Sequence, residues 1–130
     1  MATLALSRDE TGTIVPHELT LELYRKMLTT HYVDERLKVL SRQGKCTFHA
    51  SARGHEKVQV GMTLLLKPRQ DWFFTYYREK GIAIGLGMPL RDIFLGMLSR
   101  GGDPNSNGRN MPEQFSSREL NLVAQTACTG

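Results

Sequence analysis

The chain has 130 residues, 40% hydrophobic and 23% charged, with 17 basic against 13 acidic residues for a net charge of +4. That balance belongs to a packed globular domain and excludes disordered and collagen-like classes, while the scattered basic residues form no stripe of the kind that tracks nucleic acid. Cys46 and Cys128 share no short spacing and sit in no Cys/His cluster, which argues against a disulfide framework or a zinc centre and for a reducing, cytoplasmic setting.

Met1 to Leu6 is too short for a signal-peptide core and is followed by Asp9 and Glu10; no apolar run is long enough to cross a bilayer. Residues 1 to 15 carry no sustained period and read as a mobile lead-in. Pro16 then opens a long helix, because proline at the first helical position has no N–H to lose. Leu19, Leu23 and Met27, continued by Val33, Leu37 and Leu40, give it an apolar stripe, and Gly44 closes it. A second helix starts at Gly54 to Glu56, with a carboxylate where the helix dipole favours one. Val58, Met62, Leu65 and Leu66 are its expected buried face, and Pro68 its end.

Trp72 to Tyr77 is rich in aromatics and reads as a strand. A short helical stretch follows with Ile82, Ala83, Ile84 and Leu86, and Pro89 begins another helix carrying Ile93, Phe94, Met97 and Leu98. From Ser99 to Ser117 almost nothing suits a core, and a loop this long inside a domain is usually functional. Met111 and Phe115 are expected to anchor it. Leu120 to Ala124 is an apolar run typical of a buried parallel strand, yet only the aromatic run at 72 to 77 is available to flank it. The chain is therefore expected to be an incomplete piece of a larger α/β enzyme, broken off at Gly130.

Three segments are suited to chemistry. Tyr76, Tyr77 and Arg78 follow one another where a strand turns toward a helix, and together they can donate several hydrogen bonds to a phosphate or carboxylate; equally, the tyrosines suit a core and Arg78 a surface ion pair. His49 and His55 flank the small residues Ala50, Ser51 and Ala52, a setting for proton transfer next to a ligand as well as for a structural histidine. His31, on the long helix, suits a structural role. The loop from Gly101 to Pro112 offers backbone N–H groups and Arg109 to an anion. The glycines near Gly81 match neither GxGxxG nor GxxxxGK[ST], so neither nucleotide motif is present.

Taken in order, Leu23-Tyr24-Arg25, Asp34-Glu35-Arg36, Gly54-His55-Glu56 with Val60-Gly61, Asp71-Trp72 with Tyr76-Tyr77-Arg78-Glu79, Asp103-Pro104-Asn105-Ser106 with Gly108-Arg109 and Met111-Pro112, and Leu120-Asn121 form a pattern. It resembles the α-subunit of the thiamine-diphosphate-dependent first component of 2-oxoacid dehydrogenase complexes, especially the branched-chain type. The resemblance implies an α/β thiamine-diphosphate-binding fold, of which residues 16 to 130 are the mostly helical N-terminal part with one or two strands. It implies that Tyr77 and Arg78, with Tyr76 beside them, hold the cofactor diphosphate, and that His49 faces the substrate end as the catalytic residue. It further implies a backbone contact to the aminopyrimidine at Thr129 and a potassium site at Thr126 and Cys128, where Thr126-Ala127-Cys128 replaces the family's frequent Ser-Ser-Pro.

The family holds magnesium with a Gly-Asp-Gly motif and a following asparagine; this chain has no Gly-Asp-Gly. The magnesium ligands are thus expected beyond this fragment, which should be inactive alone. Implied partners are a β-subunit or fused β-like half, a lipoyl-bearing acyltransferase component and a 2-oxo acid, in an α2β2 or homodimeric assembly, with neither nucleic acid nor membrane. Implied activity is oxidative decarboxylation of a branched-chain 2-oxo acid with acyl transfer to lipoyl. The alternatives are a pyruvate or acetoin dehydrogenase α-subunit and, in another class, a non-catalytic helical interaction module.

Overall fold

In the computed structural model, residues 16–125 are described, and the N-terminal segment 1 to 15 expected to be mobile lies outside them. Helix α1, His17–Arg42, begins directly after Pro16, and Gly44 lies just past its end with φ 68°, a left-handed conformation that glycine adopts without steric cost. Only the second half of the helix is buried, through Thr30, Val33, Asp34, Leu37 and Leu40. Leu19, Leu23 and Met27 are half-buried, because α1 meets its neighbours α2 (Glu56–Met62) and α3 (Lys80–Gly85) through its later turns.

Helix α2 corrects the sequence reading twice. It stops at Met62 rather than at Pro68, and the Thr63 hydroxyl donates back to the Val60 carbonyl at 2.7 Å as the chain leaves the helix. Most of its predicted buried face points outward: Val58, Met62 and Leu65 are 57%, 48% and 86% exposed, whereas Gln59 and Val60 are buried and only Leu66, half-buried, packs on the core as expected. The reason is the Gln59 amide, which donates from Nε2 to the Arg78 carbonyl and accepts at Oε1 from the Gly81 N–H, each at 3.0 Å. A polar side chain satisfied at both ends can take a core position that periodicity assigns to an apolar one.

Strand β1, Phe73–Thr75, pairs in parallel with β2, Leu122–Ala124, in the register Phe73 to Leu122, Phe74 to Val123 and Thr75 to Ala124. Both strands are shorter than the apolar runs that predicted them, and β2 is fully buried only at Leu122, so the buried parallel strand is half covered among the described residues. Helix α3 is buried along its whole length, and α4, Leu90–Met97, buries Ile93 and Met97. One core joins Val33, Leu37 and Leu40 of α1 to Phe73, the α3 apolar residues, Ile93, Met97, Phe115 and Leu122. A mostly helical body with a two-stranded parallel sheet agrees with the predicted class for this part of an α/β fold.

Gly81 sits where nothing larger fits. A Cβ built there would lie 2.6 Å from Gln59 Oε1 and 2.9 Å from Gln59 Cβ, and the second of these cannot swing away. Gly81→Ala is expected to destabilise the protein by about 1–3 kcal/mol as an overpacked core does, and to loosen the Gln59 clamp on the Arg78 carbonyl. Urea unfolding checks the first effect; an unchanged midpoint would show that Gln59 yields freely.

The long loop after α4 is ordered around a buried carboxylate. Asp103, 3% exposed, accepts from the backbone N–H groups of Asn105, Ser106 and Gly108 and from the Ser106 hydroxyl. Asn105 in turn donates to the Gln114 carbonyl and accepts from Ser116. Of the two expected anchors, Phe115 is buried and Met111 is 37% exposed. Burial pushes the Asp103 carboxyl upward, but the hydrogen bonds from Ser106, Asn105 and Gly108 outweigh it and hold it below the usual carboxylate range. A carboxyl depressed in the folded state contributes stability that is full above its unfolded value, near pH 4, and is lost as pH falls through the folded value. Thermal melts between pH 6 and pH 3 should therefore show a fall that begins near pH 4, and Asp103→Asn should flatten it; equal slopes would remove Asp103 from the acid transition.

Candidate functional site

Four titratable side chains from four parts of the chain meet inside the molecule. Lys80, at the start of α3, places Nζ 2.8 Å from Asp34 Oδ1 of α1, 3.0 Å from Glu113 Oε1 of the loop and 2.8 Å from the Ala50 carbonyl. Asp34 also accepts from the Ala52 N–H at 2.9 Å and from the Ser51 hydroxyl at 2.6 Å. Glu113 accepts from the Ala50 N–H at 2.7 Å and lies 2.8 Å from His49 Nδ1. The side chains of Lys80 and Glu113 have no exposed surface, Asp34 has 3% and His49 has 6%. Burial pushes the Asp34 carboxyl upward, and the hydrogen bonds from Lys80, Ser51 and Ala52, with the Lys80 charge, more than reverse this, so that it lies below its ordinary value.

This cluster ties the small-residue segment 49 to 52 simultaneously to α1, α3 and the loop. Charges are buried only when paired and hydrogen-bonded, so the cluster fixes their mutual positions closely. Sequence reasoning did not find it, although two signals were present. Asp34 stands between Val33 and Leu37 on the buried stripe, and Lys80 precedes an uninterrupted buried run from Gly81 to Leu86. Glu113 gave no such signal.

Beside the cluster, the chain leaves β1 through Tyr76, Tyr77 and Arg78. The Tyr76 N–H donates to Glu79 Oε2 at 2.8 Å, which closes the turn into α3. The rings of Tyr76 and Tyr77 lie 4.0 Å apart between centroids, and Tyr77 makes an edge contact with Phe48 at 5.8 Å. The Arg78 guanidinium is exposed, rests 5.3 Å from the centre of the Tyr77 ring, and pairs with no carboxylate among the described residues. The surface ion pair entertained for Arg78 is therefore not seen among the described residues. The two tyrosines are half-buried, as a partly core position requires. A cleft beside the loop is lined by other residues, among them Met88, Asp92, Asn105 and Ser116.

The remaining candidates separate. His49 is in the buried cluster, its Nδ1 at Glu113 and its Nε2 without a hydrogen-bond partner. His55 is the exposed residue before α2, and His31 on α1 lies 3.4 Å from Glu56. The loop does not offer its N–H groups to an anion: those of Gly108, Arg109 and Asn110 are already directed at Asp103 and Ser106, so the expected anion cradle at Gly101 to Pro112 is filled from within. Thr126, Cys128 and Thr129 lie outside the described residues.

An exposed guanidinium on a tyrosine face, just after a parallel strand, has N–H groups able to donate to an anion. A family profile described as the dehydrogenase E1 component matches residues 24–129. The chain belongs to the dehydrogenase E1 component family. Within this E1 family it is 36% identical over 103 residues to the 2-oxoisovalerate dehydrogenase subunit alpha of Bacillus subtilis (strain 168), covering 79% of this chain and 31% of that protein. It is 36% identical over 108 residues to the Pseudomonas aeruginosa protein of the same name, covering 83% and 26%, and 32% identical over 105 residues to the mitochondrial one of Dictyostelium discoideum, covering 81% and 23%. The chain thus spans about a third or less of the curated relatives it matches. The E1 match runs through the whole of the cluster and the Tyr77-Arg78 turn.

Proposed function

We propose that this chain is part of the α-subunit of an E1 component that oxidatively decarboxylates a branched-chain 2-oxo acid with thiamine diphosphate and passes the acyl group to a lipoyl arm. The observation that carries it is the exposed Arg78 guanidinium, without a carboxylate partner among the described residues and held on Tyr77 just after β1, in a chain matched to the E1 family across that turn. Arg78 and the Tyr77 hydroxyl are donors suited to a diphosphate, with the Tyr76 ring tilted against that of Tyr77, and the Gln59 bond to the Arg78 carbonyl orients the turn. When bound, thiamine diphosphate supplies the electron sink for decarboxylation. What the chain adds is binding, orientation and, at His49, a proton-exchanging group at the substrate end.

Among the described residues no cluster of His, Cys, Asp and Glu is set to hold a metal ion. We assign magnesium to ligands outside these 130 residues, and potassium to Thr126 and Cys128 with a cofactor contact at Thr129 on the family's pattern alone. A β-subunit or fused β-like half and a lipoyl-bearing acyltransferase complete the assembly, α2β2 or homodimeric. No helix of the described residues is long and apolar enough to cross a membrane. The buried Cys46 thiol, hydrogen-bonded to the Phe48 and Met97 carbonyls, supports a cytoplasmic setting.

Substrate class is tested by comparing 2-oxoisovalerate with pyruvate on the full-length protein assembled with its partner subunit. Each methyl or methylene that a pocket recognises is worth about 1–3 kcal/mol, so kcat/KM for 2-oxoisovalerate should exceed that for pyruvate by about tenfold or more. A preference for pyruvate would move the protein to the pyruvate or acetoin branch.

A further inference from the structure

His49 presents two nitrogens in unlike surroundings. Nδ1 lies 2.8 Å from Glu113 Oε1, while Nε2 is buried, has no hydrogen-bond partner, and stands 3.8 Å from Asp34 Oδ1, beyond bonding reach. A carboxylate only accepts, and the other neighbours of Glu113 are donors: the Lys80 ammonium at 3.0 Å on Oε1 and the Ala50 N–H at 2.7 Å on Oε2. Nδ1 therefore donates, and the ring proton on that side is committed to Glu113. Glu113 itself is held in an uncommon backbone conformation, φ 72°, with no exposed side-chain surface. Strained, fully buried and aimed at one ring nitrogen, it is arranged to orient a histidine as well as to balance a lysine. An unpartnered nitrogen in a side chain 6% exposed is the complementary observation, because buried polar atoms are ordinarily satisfied.

We infer that Glu113 is the positioning residue for His49, fixing the proton on Nδ1 and leaving Nε2 as the ring nitrogen open to accept or exchange a proton. This rests on the role proposed for His49 above. Second partners that set which imidazole nitrogen is available recur wherever histidine transfers protons. The purely structural alternative is that Glu113 only neutralises Lys80, and the two differ in what happens when the carboxylate becomes an amide. In Glu113→Gln the single amide oxygen cannot serve both Ala50 and His49. Either the NH2 faces Nδ1 and drives the ring proton to Nε2, or it faces the Ala50 N–H and unseats the segment.

The test is a double-mutant cycle on the full-length protein with its partner subunit, reading kcat and KM for 2-oxoisovalerate and the affinity for thiamine diphosphate. Glu113→Gln should lower kcat by about tenfold or more, within the range of general acid–base contributions, with KM and cofactor affinity changed by less than about twofold. Glu113→Asp, which remains an acceptor, should restore part of kcat. In a His49→Ala background Glu113→Gln should cost nothing further, since its effect is exerted through the ring. Independent, multiplying losses would overturn the inference, as would collapse of both Glu113 variants, which would make the residue structural. Should the wild-type protein bind no thiamine diphosphate, the cofactor reading and this inference fall together; multiplying losses with cofactor binding intact sink only the Glu113 assignment.

Discussion

Replacing Lys80 with methionine is expected to destabilise the protein by about 3–5 kcal/mol, the cost of stranding buried charge without its partner. Methionine replaces the lysine stem as far as Cε and loses only the ammonium, so the cavity term is small and the loss is mainly electrostatic. Two carboxylates, Asp34 and Glu113, would remain enclosed around the vacated position, each still bound to backbone N–H groups of segment 50 to 52 but no longer neutralised. Desolvation decides the sign here. An exposed pair of the same residues would be worth about 0–1 kcal/mol, and the surface pairs Lys26 with Glu22 and Arg91 with Asp92 belong to that class. Equilibrium urea unfolding of the wild type and the variant checks the figure, and Glu113→Gln added to Lys80→Met should recover part of the loss. A change below about 1 kcal/mol would mean that water reaches the cluster.

Arg78→Ala should weaken thiamine diphosphate binding by about 1.5–3 kcal/mol, which is about 10- to 150-fold in Kd, as expected for a hydrogen bond to a charged group. Its effect on stability should be slight, because the guanidinium is exposed and its contact is the Tyr77 face, while the Gln59 bond to the residue 78 carbonyl survives the substitution. Arg78→Lys should recover only part of the affinity, since an ammonium lacks the planar fork that engages two phosphate oxygens. Calorimetric titration of the assembled protein with the cofactor and magnesium makes the measurement. An unchanged Kd removes Arg78 from the site.

Much of the architecture was legible because it follows from local chemistry. Pro16 and Pro89 opened helices, Gly44 closed one, and the two apolar runs became strands that found each other. What could not be read was burial where polar groups compensate one another. Gln59 displaced Val58 and Met62 from the core because both ends of its amide are bonded, and no period in the sequence encodes that. The same holds for Asp103, which turned a loop with almost no apolar residues into an ordered one, and for the Asp34, Lys80 and Glu113 cluster, whose members lie 33 to 79 positions apart in sequence. Of the candidate site, Tyr77 and Arg78 are singled out by their order after a strand, with their role left to the cofactor titration, whereas the groups that hold His49 emerged only once the chain was folded. The non-catalytic helical module is not favoured by an E1 match that runs through all of these residues.

The most direct measurement is release of CO2 from 2-oxoisovalerate by the full-length protein and its partner subunit, with and without added thiamine diphosphate and magnesium. Turnover that appears only with the cofactor, and falls in Arg78→Ala in a way that excess cofactor restores, is the result expected of an E1 α-subunit holding the diphosphate at Tyr77 and Arg78. Turnover indifferent to the cofactor, or none at saturating cofactor, would contradict it.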